Sequence, residues 1–149
     1  MLTEDIQAVR VIQAPPERVF AAWTEPELFA QWFGTEQVEV PLDSVSLDVR
    51  VGGSWRARML IPGGPEISWA GEYLVVEAPD RLTLTITDDP GRPEREPVQL
   101  TFVAVPGGTE LSLHQPGAAF TSEQRERTAA GYLGFFAAIE RVLAGEPAT

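Results

Sequence analysis

The sequence predicts an α+β fold, a curved antiparallel sheet of about seven strands wrapped around one long C-terminal helix. Three observations predict it. Segments between residues 37 and 115 alternate apolar and polar residues, as strands do when one face of an antiparallel sheet meets water. Residues 121–144 carry Tyr132, Phe135, Phe136, Ile139, Val142 and Leu143 as a stripe at helical spacing. Two short helices with proline near their starts separate the first strand from the others. A strongly curved sheet cannot lie flush on a straight rod, so a cavity between helix and sheet is expected.

Residues 6–13, "IQAVRVIQ", read as the first strand. Val19, Phe20 and Trp23 recur at helical spacing, which gives a short helix over 16–23. "TEPELFAQWF" gives a second, with Thr24 as N-cap, Pro26 and Glu27 in the first turn, and Gly34 at its end. "QVEVPL" and "VSLDVRV" are strand-like, and Gly52-Gly53 makes a turn. In "SWRARMLI", Trp55, Ala57, Met59 and Ile61 share one face, and Arg56 and Arg58 the other. "PGGP" at 62–65 is a hairpin tip, followed by the strand "EISWAGEYLVVEA". "RLTLTIT" points Leu82, Leu84 and Ile86 inward and its threonines outward. "DDPGRPEREP" is a polar loop. "VQLTFVAV" turns Val98, Leu100 and Phe102 to one face, and "TELSLHQ" does the same with Leu111, Leu113 and Gln115. Thr121 and Gln124 fit a capping box at the start of the last helix. Gly131 and Gly134 inside that helix cost about 1 kcal/mol each relative to alanine, which suggests close approach of another element or a ligand.

Composition narrows the chemistry. The 149 residues fit one domain, 1–149, large enough to bury a core without staples. There is no cysteine, hence no disulfide, thiolate metal site or cysteine nucleophile. The lone histidine, His114, alternates outward, so no metal site or Ser-His pair is expected. Every basic residue is arginine, which excludes a lysine Schiff base or a P-loop lysine. A net charge of −11 makes nucleic acid a poor partner. No segment reaches a membrane span and the N-terminus lacks signal-peptide character, so the expected location is cytoplasmic. An exposed sheet edge would allow a homodimer.

Several segments, in order, resemble a known family. "APPERVFAAWTEPELFAQWFG", "DVRVGGSWR", "GEYLVVEAPDRL" and "GTELSLHQPG" are similar to the Bet v 1/START-like (SRPBCC) superfamily. Within it they resemble the stand-alone domain related to the activator of Hsp90 ATPase (AHSA1-type). The resemblance runs from about Val9 to Leu143 and implies the helix-grip fold. There are departures. Phe33 stands where a second tryptophan is common, Tyr132 follows Gly131 where Gly-Trp is usual, and Gln115 stands where an inward histidine is often found. The co-chaperone's own amino-terminal domain has no counterpart here, so an Hsp90 role is not carried over. The resemblance implies an apolar cavity entered near the short helices. It implies a lipid, polyketide or aromatic ligand, or, alternatively, a polyketide cyclase/dehydratase-like reaction in that cavity. A co-chaperone-like interaction module is the third reading.

The ligand-binding candidates follow: Trp32, Phe33, Trp55, Met59, Trp69, Tyr73, Phe102, Gln115, Phe120, Tyr132, Phe135 and Phe136. Each ring can equally be core, since rings fill cores well. Trp23 is expected in the core, with Trp32 and Phe33 at the cavity mouth. Tyr132 and Gln115 are the inward polar groups, bonded either to each other and the backbone or to a ligand. Glu72 could serve as a base only if buried, and alternation points it outward. Asp48 and Arg50 read as an ion pair beside the Gly-Gly bend. No catalytic residue, cofactor or metal ligand is assigned, and turnover is left open.

Overall fold

The computed structural model describes residues 5–34, 38–87, 97–117 and 120–145. In chain order it has β1 (Ile6–Ile12), α1 (Pro16–Thr24), α2 (Pro26–Trp32), a 3₁₀ turn (Leu42–Ser44) and β2 (Ser46–Leu47). Then come β3 (Ser54–Leu60), β4 (Glu66–Glu77), β5 (Arg81–Thr85), β6 (Pro97–Val105), β7 (Gly108–Gln115) and α3 (Ser122–Gly145). The seven strands form one sheet in the order β1-β7-β6-β5-β4-β3-β2, every neighbour antiparallel. This is the α+β architecture that the alternation and the helical stripe predict. No helix of the described residues is long and apolar enough to cross a membrane.

Alternation sorts the sheet's faces. Trp55, Ala57, Met59, Leu82, Leu84, Val98, Leu100, Phe102, Leu111 and Leu113 are buried on the inner face. Tyr132, Phe136, Ile139 and Leu143 of α3 are buried with them, while Phe135 and Val142 flank the stripe half-buried. The capping box forms as expected: the Gln124 N–H donates to Thr121 Oγ1 at 3.1 Å, and the Thr121 N–H to Gln124 Oε1 at 2.8 Å. An added Cβ at Gly131 or Gly134 would meet nothing within 4 Å, so no other element among the described residues presses on them.

Four local expectations are corrected. Glu25, not Thr24, is the N-cap of α2, because Thr24 Oγ1 donates back to the Phe20 carbonyl (3.1 Å) and belongs to α1. "QVEVPL" is no strand beyond a single bridge between Glu39 and Leu60, since the chain turns at Pro41–Ser44 (Gln37 lies outside the described residues). "VSLDVRV" pairs only at Ser46–Leu47, because the Arg50 N–H turns back to the Asp48 carbonyl (2.9 Å) and Gly52 sits at φ +84°. Thr85 is buried rather than outward, for reasons given below. The loop expected at 88–97 lies, but for Pro97, outside the described residues.

One ion pair ties α3 to the edge strand. Arg10 Nη2 donates to Glu140 Oε1 at 2.6 Å, and the Gln13 N–H donates to Glu140 Oε2 at 3.0 Å. The Arg10 hydrogen bond holds the Glu140 carboxyl below its ordinary range. A carboxylate with a lowered folded-state pKa stabilises fully above its unfolded pKa. That contribution is lost as pH falls through the folded value. Glu140→Gln is therefore expected to lower stability at pH 7 and to leave it less dependent on pH below about 4.5. Urea midpoints of both proteins between pH 3 and 7 test this. Parallel curves across that range would refute it.

Candidate ligand site

The site is built on rings from three places: the α1–α2 corner, strands β3 and β4, and α3. Phe33 sits at its centre. Its ring stacks on Phe29 (4.6 Å between centroids) and on Phe135 of α3 (5.5 Å). It meets Trp32, Trp55 and Trp69 edge-on at 5.8, 5.9 and 6.0 Å. Phe135 in turn meets Tyr132 edge-on at 6.3 Å. A row of rings, Trp69–Phe33–Phe135–Tyr132, thus crosses from β4 to α3. Phe33 and Tyr132 are buried, whereas Trp69 and Phe135 remain half-buried, so two rings of the row keep some exposed surface.

Each end of the row carries a polar group. At the α3 end, the Tyr132 hydroxyl donates to Gln115 Oε1 at 2.5 Å, joining α3 to the last strand. Burial pushes the Tyr132 hydroxyl's pKa up, so it stays protonated and a donor at neutral pH. At the β4 end, Trp69 Nε1 is buried and has no hydrogen-bond partner among the described residues. Tyr73, two turns of the pleat further along β4, is fully buried. Its hydroxyl is likewise held protonated, by burial first and by the nearby Asp48 second.

Trp55 is positioned by a contact that alternation does not reveal. Its Nε1–H passes over β4 and donates to the Thr85 carbonyl on β5, at 2.9 Å. The register pairs Trp55 with Gly71, and an added Cβ there would lie 2.4 Å from Trp55 Nε1 and 1.8 Å from the Thr85 oxygen. Thr85 Oγ1 accepts the Glu72 N–H at 2.9 Å, which draws that threonine inward.

The predicted candidates divide accordingly. Trp32, Phe33, Trp55, Trp69, Tyr132 and Phe135 share one ring cluster. Met59 is buried in the same core, and Phe120 packs half-buried against it. Phe102 lies apart, edge-on to Phe20 under α1 at 5.2 Å, and Phe136 is fully buried beneath α3 without a ring partner. Trp32 is corrected from mouth to anchor: it is 0 % exposed and donates from Nε1 to the Ala22 carbonyl at 2.6 Å. Phe33, 2 % exposed, is likewise interior. Phe29, absent from the predicted candidates, stacks on Phe33 and meets Trp55 at 5.8 Å; its i, i+4 spacing from Phe33 is the signal in the sequence that points to it.

No Asp, Glu, Arg or His of the described residues is buried. Glu72 is exposed, Asp48 and Arg50 form an exposed ion pair at 2.9 Å, and His114 pairs with Asp5 at 2.6 Å on the outer side. Grooves of about 550 and 520 Å³ lie along β2–β4 around Arg56; Trp55 is among the residues lining the first, and Trp69, with Asp43 and Arg58, among those lining the second.

Comparison with known proteins places the architecture. The profile of the family described as "Activator of Hsp90 ATPase homolog 1-like protein" matches residues 13–144. A crystal structure of a protein from Chromobacterium violaceum superposes with a TM-score of 0.80 at 27 % identity, over 96 % of this chain and 99 % of that one. The AHSA1-like protein from Aeromonas hydrophila gives 0.77 at 24 % identity, over 94 % and 92 %. DynU16, a protein of the dynemicin biosynthetic locus, gives 0.75 at 23 %, over 97 % of this chain but 48 % of that one. The last two likenesses are of fold alone. No curated protein matches the chain in sequence.

Proposed function

Because the chain belongs to the Activator of Hsp90 ATPase homolog 1-like family, we propose that it binds an apolar small molecule between α3 and the inner face of the sheet. The ring row Trp69–Phe33–Phe135–Tyr132 is the observation that carries this reading. Half-buried rings at its rim offer apolar surface that the protein's own residues do not fully cover, and flat rings bind flat or acyl ligands through area. Binding is favoured over turnover because acid–base chemistry needs a group that changes protonation near neutrality. The inner face supplies tyrosines held protonated and an amide, with no buried carboxylate or histidine among the described residues. A cyclase-like reaction would have to proceed without them.

Titration with the neutral fluorescent probe N-phenyl-1-naphthylamine tests the reading. Saturable emission is expected, with Phe135→Ala weakening it about tenfold through lost ring contact. Absence of saturable binding to the wild-type protein would overturn the proposal.

A further inference from the structure

The four tryptophans differ in what their indole N–H groups meet. Trp32 donates to the Ala22 carbonyl at 2.6 Å and Trp55 to the Thr85 carbonyl at 2.9 Å. Trp23 and Trp69 have buried N–H groups with no partner among the described residues. A buried donor without an acceptor is costly, and each case in a folded protein asks for a reason. Trp23 is buried in the α1–α2 corner, its ring 4.5 Å from that of Trp32, and it is not a member of the row. Trp69 is different. It is half-buried, it ends the row that begins at Tyr132, and it meets Phe33 edge-on.

We propose that Trp69 Nε1–H is the specificity-determining donor of the ligand site, and that the site selects a neutral, flat, carbonyl-bearing molecule. The inference rests on the binding function proposed above and concerns which ligands that site prefers. The unmet valence of the ring row, among the described residues, is a donor. At the α3 end the Tyr132 hydroxyl already takes Gln115 Oε1. At the β4 end the Trp69 N–H is left without an acceptor among the described residues. A carbonyl oxygen, with two lone pairs and no proton, complements such a donor. An ionised ligand does not fit the same surface. No charged side chain of the described residues is buried there to pair with it, and an unpaired ion in an apolar site carries a large desolvation cost. A pure hydrocarbon fills the apolar row but leaves the indole N–H as it is, unpaired.

Fluorene and 9-fluorenone make the test, since they share one flat shape and differ by one carbonyl. Calorimetric titration is expected to give fluorenone about a tenfold lower Kd than fluorene, the size of one hydrogen bond to an otherwise unpaired donor. Fluorene-9-carboxylate and 9-aminofluorene, charged at pH 7, are expected to bind more weakly than either. Trp69→Phe keeps a ring and removes the N–H, so it should bring the fluorenone-to-fluorene ratio close to one. Trp23→Phe removes the other unpaired N–H and should leave the ratio unchanged. Equal affinities for fluorene and fluorenone in the wild-type protein, a ratio that survives Trp69→Phe, or preference for the carboxylate would each overturn the inference while leaving ligand binding intact. Failure of N-phenyl-1-naphthylamine to bind would instead remove the site itself.

Discussion

Gly71→Ala destabilises the protein by about 3 kcal/mol or more, the range of severe overpacking. The new Cβ would lie 1.8 Å from the Thr85 carbonyl oxygen and 2.4 Å from Trp55 Nε1. Neither atom can step aside cheaply. The oxygen belongs to the backbone at the end of β5, and the indole is held by the hydrogen bond it makes to that oxygen. Gly71 is the gap in β4 through which a side chain of β3 reaches the backbone of β5. Trp55→Phe keeps most of the ring but breaks the bond, leaving the Thr85 carbonyl short of a donor, at a cost of about 1–3 kcal/mol. In the double variant the clash with Thr85 persists, so Trp55→Phe should recover only a minor part of the Gly71→Ala loss. Chemical denaturation of the three variants measures this. A Gly71→Ala protein within about 1 kcal/mol of wild type would show that β4 and β5 can separate there, contrary to the packing described.

That contact marks the boundary of what the sequence discloses. The fold was legible because its signals are periodic. Leu111, Leu113 and Gln115 alternate, the α3 stripe recurs at helical spacing, and both survive errors at single positions. Thr121 and Gln124 were legible because a capping box is local, with both partners inside one turn. Thr85 was not. Alternation alone sends it outward, yet Trp55, thirty residues earlier, and Glu72, thirteen earlier, recruit its carbonyl and hydroxyl. The brevity of β2 was hidden for a related reason. "VSLDVRV" alternates well enough, but the Asp48–Gly53 turn takes the backbone groups that a longer strand would need. The site was legible as a set of rings and not as an order. Composition shows that there are many; only the packing shows that Phe33 is the hub and that Phe102 and Phe136 lie outside the row.

Trp32 shows how far one ring's role can move once its partner is known. The α1–α2 corner turns at Pro26, which has no backbone N–H. In a continuous helix the Ala22 carbonyl would accept from the residue four positions on, and that residue is Pro26. The carbonyl is buried in the corner and would be left without a donor. Trp32 Nε1–H supplies it at 2.6 Å, from ten residues downstream. The ring then packs against Trp23, Phe29, Phe33 and Phe135, so one side chain closes the corner and links it to α3. Trp32→Ala is therefore expected to cost about 3–5 kcal/mol, as large aromatic truncations in cores do. Trp32→Phe, which keeps a ring but orphans the Ala22 carbonyl, should cost about 1–3 kcal/mol more than any loss of ring area. Trp23→Phe makes the opposite change, because the Trp23 N–H has no partner among the described residues to lose and its removal relieves an unpaired donor. The two phenylalanine variants thus remove the same group from neighbouring rings, with different consequences. Thermal and urea unfolding should rank Trp32→Phe well below Trp23→Phe in stability; equal losses, or the reverse order, would mean that the proline corner does not depend on the indole.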